Sequence, residues 1–462
     1  MVEPLNRGIG MNLPNYFLAD LPPEAALTPL LLTEACQTLK RNRQTYLAHR
    51  STESLIKVLS EVAADWLRAD YPFRKMALEL GPEQTGFSSA TLARGLDGFF
   101  SELTRDNLHA LLVQDLGDAR RLDHMVAVGD EQKPGRSALA RGPEFLVHVA
   151  AGNLPSPTFM NMVLGLLVRS AQFVKCASGA AFLPRLFAHS LYDAEPKLGA
   201  CLEIATWPGG NAELEKALFD EADCVTATGS DEAWAAIRQR LPLRVRFLGY
   251  GHRVSFAYVT HEALHGHHAR KIAAQAVADV VAWDQLGCLS PHVIYVEHGG
   301  VWAEKFAGML AEELARHEEA EPRGKLPAEA AAGIASRRAF YEVRAAHSPE
   351  TRLWCSPNST AWTVVYEADP RFQMSCLNRF LYVKGVKDLD EALRNAEGVR
   401  GKVSTVGISA TGERAQKIAL ELARWGVTRV CPLGRMQNPS LTWRHDGRPA
   451  LGDLVTWTDW EQ

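Results

Sequence analysis

From Phe145 the sequence settles into an alternation that leaves few folds open. A short apolar run, Phe145 to Val149, ends in Gly152, a stretch of helical spacing covers Thr158 to Ser170, and a second short run occupies Phe173 to Cys176. Strands joined through a helix lie parallel in one sheet, because the crossover carries the chain back to the same edge and places the helix on a face. The pattern recurs. Cys224 to Ala227 leads through Thr228-Gly229-Ser230 into the helical EAWAAIRQR, Val254 to Val259 reads as a strand, and Pro291 to Val296 as another. Between the last two, an Ala-rich helix is expected from about Glu262 to Asp284, with Ile272, Ala276 and Val280 on one face. The fold class is therefore α/β, a parallel sheet wound on both faces.

Outside this region the signals are plainer. Residues 1–140 are mainly helical in pattern, with breaks at Pro22-Pro23, Pro72 and Pro134. The charged, Ala-rich stretch from Glu318 to Ala332 reads as a surface helix or insertion, and His445-Asp446-Gly447, between segments holding Trp443 and Trp457, as the turn of a C-terminal hairpin. With 462 residues, at about 150 per domain, two or three domains are expected.

Composition excludes several function classes. Fifty basic against 54 acidic side chains leave a formal charge of −4, so no global positive field exists for nucleic acid or an anionic membrane. The eight cysteines form no CxxC pair, which excludes a zinc ribbon and a disulfide framework and points to a reducing compartment. MVEPLNRGIG has no apolar signal core, and the run Met160 to Val168 is cut by Arg169, so no membrane span and a cytoplasmic location are expected.

Four places carry candidate chemistry. His261-Glu262-Ala263-Leu264-His265 matches HExxH, in which two histidines one helical turn apart bind zinc. It directly follows a predicted strand, however, with Thr260 as N-cap, so a solvated first turn outweighs a zinc site with Asp284 as third ligand, and no metal is assigned. Cys288 follows a helix end and Gly287, where a backbone amide can approach the sulfur or its substrate; a buried filler is the plain alternative. Asn153, in AAGNLPSP, suits equally a donor aimed into a crevice at the carboxyl end of a parallel sheet and an Asx-turn residue. Thr228-Gly229-Ser230 is either a phosphate-receiving turn or a simple N-cap. Neither GxGxxG nor GxxxxGK[ST] occurs, so a cofactor site must be of another kind.

Taken in order, GNLP at 152–155, VKCAS at 174–178, TGS at 228–230, LGYG at 248–251 and the Cys288 loop resemble the aldehyde dehydrogenase superfamily. LGYGHRVSFAYV, LNRFLYV at 377–383 and GVTRVCPLGRM are similar to the bacterial long-chain acyl-CoA reductases, the LuxC-like fatty acid reductases. The resemblance implies a Rossmann-like NADP-binding domain at 141–259, with the helical residues 1–140 packed on it. It also implies an α/β catalytic domain at 260–435 and a C-terminal hairpin at 436–462 that serves as an oligomerisation arm.

It implies roles as well. Cys288 becomes the nucleophile and Asn153 the side-chain donor to the oxyanion, with the Cys288 amide as second donor. Lys175 would contact the adenosine ribose, Ser230 the pyrophosphate, and Thr228, Gly229 and Gly249 would complete the cofactor site. Ser178 stands where NAD-preferring relatives carry a glutamate, which favours NADPH. Phe247 stands where hydrolytic relatives hold a water-activating glutamate, so the thioester on Cys288 should pass to another thiol rather than to water. The expected activity is NADPH-dependent reduction of an acyl-CoA or acyl-protein thioester to the aldehyde by a homo-oligomer, with acyl-transferring enzymes as candidate partners. The alternatives are an NAD(P)-dependent aldehyde dehydrogenase, a zinc hydrolase, and a non-catalytic acyl-transfer or scaffold subunit.

Overall fold

The computed structural model describes residues 13–462 except Pro23, Gly266 and His267, so MVEPLNRGIG and the second proline of the first break lie outside the described residues. The chain divides into two units, each assembled from separate stretches. Residues up to Asp65, Leu112–Tyr250 and Leu451–Gln462 form the first; Trp66–Leu111 and Gly251–Ala450 form the second.

In the first unit, β1 (Ser137–Arg141) is followed by β2 (Phe145–Val149), β3 (Ala171–Cys176), β4 (Leu202–Thr206), β5 (Cys224–Thr228) and β6 (Arg246–Tyr250). The last five make a wholly parallel sheet in the order β4-β3-β2-β5-β6. The chain winds outward from β2 first to one side and then to the other, and such a reversal opens a crevice at the carboxyl ends of the strands. On one face, Phe145, Val147, Phe173 and Val225 pack with Leu214 and Phe219 of the helix Ala212–Glu221 and with Leu32 and Cys36 of the helix Pro29–Asn42. Because both faces are covered, polar side chains in the strands must find partners. His148 in β2 lies 2.6 Å from Thr226 Oγ1 and 2.8 Å from Gln172 Oε1, and burial pushes its imidazole down to about 4, leaving it neutral.

The second unit holds β7 (Val254–Val259), β8 (Pro291–Glu297), β9 (Thr351–Cys355), β10 (Thr363–Glu367), β11 (Phe380–Val386), β12 (Val403–Ser409) and β13 (Arg429–Pro432), in the order β13-β12-β7-β8-β11-β10-β9. All pairs are parallel except β9 with β10. The helix His268–Val281 buries Ile272, Ala276 and Val280 in the core on one face of this sheet, the stripe its spacing predicts. Finally, β14 (Thr456–Trp460) belongs to the first unit and pairs antiparallel with β1, Ser137 opposite Trp460 and Arg141 opposite Thr456.

The α/β class and the buried parallel strands stand as expected; several boundaries do not. Val254–Val259 joins the second sheet, so the division falls at Tyr250 rather than at residue 259. Residues 66–111, expected with the cofactor domain, belong to the second unit. There the Trp283 indole lies so close to Gly95 that a Cβ would meet its Cζ2 at 2.0 Å. The C-terminal hairpin does not form: β14 finds its partner in β1, and His445–Gly447 is a short 3₁₀ turn. The stretch 318–332 straddles the end of the helix Gly300–Ala320 and the start of the helix Ala328–His347.

Candidate active site

At the carboxyl ends of β2, β3 and β5 the first unit holds a cavity of about 410 Å³. Lys175, Ser178, Thr228 and Gly229, all expected at a cofactor, line it, together with Gly152 and the apolar side chains of Leu218, Phe219 and Ile237. Two expected contacts lie off the wall among the described lining residues. The Ser230 hydroxyl accepts a hydrogen bond from Ala233 N at 3.2 Å and so caps the helix Asp231–Arg240. Gly249 lies beneath the Trp234 indole, where a Cβ would stand 1.2 Å from Nε1; its job is to admit that ring.

Sequence reasoning missed Trp207, Glu215 and Arg240, which also line the cavity. Glu215 accepts a hydrogen bond from Gly210 N at 2.8 Å and pairs with Arg240, while Lys175 Nζ lies 5.6 Å from the Trp207 ring centroid. Burial lowers the Lys175 ammonium and Glu215 opposes that shift. An apolar slot with a lysine at its edge, and with its one acidic side chain already neutralised by an arginine and an amide, suits the adenosine and phosphate parts of a nicotinamide cofactor.

Asn153 sits in the exposed loop between β2 and the helix Ser156–Leu167. That helix is capped at Pro155, so Asn153 does not serve as its N-cap.

Cys288, in the second unit, is held mainly through its backbone. Ser255 Oγ donates to Cys288 O at 2.7 Å and accepts from Thr405 N at 3.2 Å, and Ser290 N donates to Gly287 O at 3.0 Å. The residue keeps some surface, yet the protein packed around its sulfur pushes the thiol up to about 12. The Asp446 charge adds to the rise, while the Cys288 amide and Arg253 oppose it. Asp446 is the residue that the hairpin reading hid: it stands at φ +54° with its carboxylate buried and 3.0 Å from Arg253 Nε. His292, whose Nδ1 accepts from Ser375 N at 3.1 Å, is pushed down to about 4 by burial and by His252, so it is neutral at physiological pH.

Two runs of non-glycine residues around this loop have positive φ: Trp283, Asp284 and Gln285 at 51°, 49° and 65°, and Leu377, Asn378 and Arg379 at 58°, 54° and 65°. Each such residue costs on the order of 1–2 kcal/mol, and the conformation persists only where its surroundings impose it. Here they do. Arg379, 1% exposed, donates from Nε to Asp284 Oδ1 at 2.9 Å and from Nη1 to Glu318 Oε2 at 2.7 Å.

The HExxH residues do not form an α-helix. His261–Leu264 is a 3₁₀ turn, and the α-helix starts at His268. Glu262 pairs with Arg414, Asp284 with Arg379, and the His261 and His265 rings stand edge to face at 4.5 Å. Among the described residues no group of three or more His, Cys, Asp or Glu side chains is arranged to hold a metal ion, and no helix is long and apolar enough to cross a membrane.

Removing the Asp446 charge should make Cys288 more reactive. A thiol that titrates far above working pH is a poor nucleophile, and each unit by which its pKa falls raises the thiolate fraction roughly tenfold. In Asp446→Asn the anion is gone and Arg253 remains, so alkylation of the Cys288 peptide by iodoacetamide at pH 8, followed by mass spectrometry, should speed up severalfold. An unchanged rate would show that the two charges do not set the thiol.

These α/β units have the aldehyde dehydrogenase fold. The chain superimposes with a TM-score of 0.70 on a salicylaldehyde dehydrogenase from Pseudomonas putida G7, at 15% identity over 95% of this chain and 91% of that one. It superimposes with a TM-score of 0.72 on bifunctional proline utilization A (PutA), at 17% identity over 94% of this chain but only 45% of that larger protein. Within this fold the chain belongs to the acyl-CoA reductase (LuxC) family, whose model matches residues 47–457. Its relatives include the long-chain acyl-protein thioester reductases of Aliivibrio fischeri, 25% identical over 88% of this chain and 82% of that protein, and of Photorhabdus laumondii, 22% identical over the same shares. The protein is an oxidoreductase acting on acyl thioesters.

Proposed function

We propose that the protein reduces a long-chain acyl-CoA or acyl-protein thioester to the aldehyde, with NADPH as the reductant. The observation that carries this reading is Cys288, a nucleophile-class side chain in a loop whose carbonyls are already engaged and whose amide favours its own thiolate. Cys288 Sγ attacks the thioester carbonyl carbon, and the oxyanion that forms is held by the Cys288 N–H and the Asn153 carboxamide. As the carbonyl re-forms, the C–S bond to CoA or the carrier protein breaks, and that thiolate takes up a proton. When bound, NADPH supplies a hydride to the acyl carbon. Cys288 Sγ then leaves the resulting hemithioacetal, releasing the aldehyde. Lys175, Thr228 and Gly229 would hold the cofactor, with Ser178 beside the adenosine ribose.

An oxidising aldehyde dehydrogenase is the second reading, and Phe247 argues against it. Its ring packs on Trp234 with centroids 5.6 Å apart and offers no carboxylate to activate water. Two assays test the proposal. Loss of NADPH absorbance in the presence of a panel of acyl-CoAs should show turnover, strongest with long chains; no loss with any acyl-CoA or acylated carrier protein would reject it. Ser178→Glu should shift the kcat/KM ratio from NADPH toward NADH by about tenfold or more, because a carboxylate there repels a 2′-phosphate and accepts from a 2′-hydroxyl. Undiminished NADPH use by the variant would remove Ser178 from the ribose site.

A further inference from the structure

We infer that Gln285 is a positioning residue, one that fixes the base of the Cys288 loop so that the Cys288 amide faces the oxyanion formed during acyl transfer. The inference rests on the acyl-transfer reading of Cys288 and adds a residue that neither the motifs nor the family resemblance singled out.

The Gln285 side chain is fully buried, and its amide is spent mainly on the backbone of Pro291, at the end of the loop, and of Phe380, with a longer contact from Nε2 to Ser375 Oγ at 3.4 Å. Nε2 donates to Pro291 O at 2.8 Å and to Phe380 O at 2.9 Å, and Oε1 accepts from Phe380 N at 2.8 Å. One side chain thus ties the residue before the loop to Pro291, the first residue of β8, and to Phe380, the first residue of β11. The strands β8 and β11 are themselves paired neighbours, which makes the anchor rigid. The backbone of Gln285 is the last of the left-handed run 283–285, and Phe380 directly follows the left-handed run 377–379. Asp284 and Gln285, adjacent in sequence, therefore both fasten the first run to the second, one through an ion pair and one through a pair of amide hydrogen bonds.

The effect reaches Cys288 through peptide geometry. Gly287 O is engaged by Ser290 N, and Cys288 O by Ser255 Oγ. In a trans peptide the N–H points opposite to the preceding carbonyl. With Gly287 O turned into the loop, the Cys288 N–H is turned out of it, and that amide also favours the thiolate of its own side chain. An oxyanion donor acts only if it is held where the charge develops, so a loop free to rotate this peptide would lose most of that benefit.

Two reactions of the same sulfur separate positioning from general upkeep of the fold. Acylation by tetradecanoyl-CoA passes through an oxyanion; alkylation by iodoacetamide does not. In Gln285→Ala, acylation of Cys288 by radiolabelled tetradecanoyl-CoA should fall by about tenfold or more, while alkylation of the Cys288 peptide, read by mass spectrometry, stays within about twofold of wild type. Gln285→Glu keeps the shape and one acceptor but loses the bonds donated from Nε2; it should show the same split, and it carries the test should the alanine variant fail to fold. Unchanged acylation, or equal falls in both reactions, would overturn the inference. A wild-type protein that alkylates at Cys288 but takes up no label would instead overturn the acyl-transfer reading, and this inference with it.

Discussion

Cys288→Ala protein should take up no label from radiolabelled acyl-CoA and should oxidise NADPH no faster than a blank. Five of the other seven cysteines are out of reach of a substrate. Cys36, Cys176, Cys201, Cys224 and Cys431 are buried, Cys224 inside β5, whereas Cys288 keeps some surface. Cys224→Ala should therefore keep both label uptake and turnover and change stability at most. The two partly exposed cysteines, Cys355 and Cys376, are the stricter controls. Label that stays covalently attached in Cys288→Ala would move the nucleophile elsewhere and end the proposed mechanism.

Asn153→Ala should lower the rate of acyl-enzyme formation about a hundredfold or more, the typical cost of losing one of two oxyanion donors. Asn153→Asp should be no better, since a carboxylate repels the developing negative charge. The loss should appear in kcat for both half-reactions, because an oxyanion forms when Cys288 attacks and again when hydride arrives. NADPH binding, followed by fluorescence, should stay within about twofold, because Asn153 is not among the residues that line the cavity. A rate within severalfold of wild type would leave Asn153 as a turn residue.

How far the sequence reaches is clearest where it fails. The strands β2, β3, β5 and β7 are legible because burial on both faces leaves short runs dominated by apolar residues. β4 is hidden by Glu203, a buried carboxyl pushed up to about 8 by desolvation, and β6 by Arg246, whose guanidinium donates to Leu454 O and Val455 O. With β4 goes the Trp207-Pro208-Gly209-Gly210 turn at its end, and hence three of the residues that line the cavity, Trp207, Gly209 and Gly210. Trp283-Asp284 reads as the end of a helix and Gln285 as the start of a loop; the contacts that hold their left-handed course come from Arg379 and Phe380, 95 positions away from Asp284 and Gln285. His445-Asp446-Gly447 carries a hairpin's turn residues, yet the left-handed aspartate serves to place a charge against Arg253. In each case the deciding partner is distant in the chain, and local patterns carry no record of it. The candidate nucleophile and four of the cavity residues were legible because they sit at strand and helix ends, where the chain itself marks the turn.

The pairing of β14 with β1 sets an order of synthesis. The five-stranded sheet leaves the ribosome before the seven-stranded one, but the strand that covers β1 emerges after both. During translation β1 therefore waits without its ladder partner through more than three hundred residues of growing chain, open to pairing with any other extended segment. The first unit begins earliest and finishes last, so a ribosome stalled anywhere in the second unit leaves β1 as a lone strand without its partner.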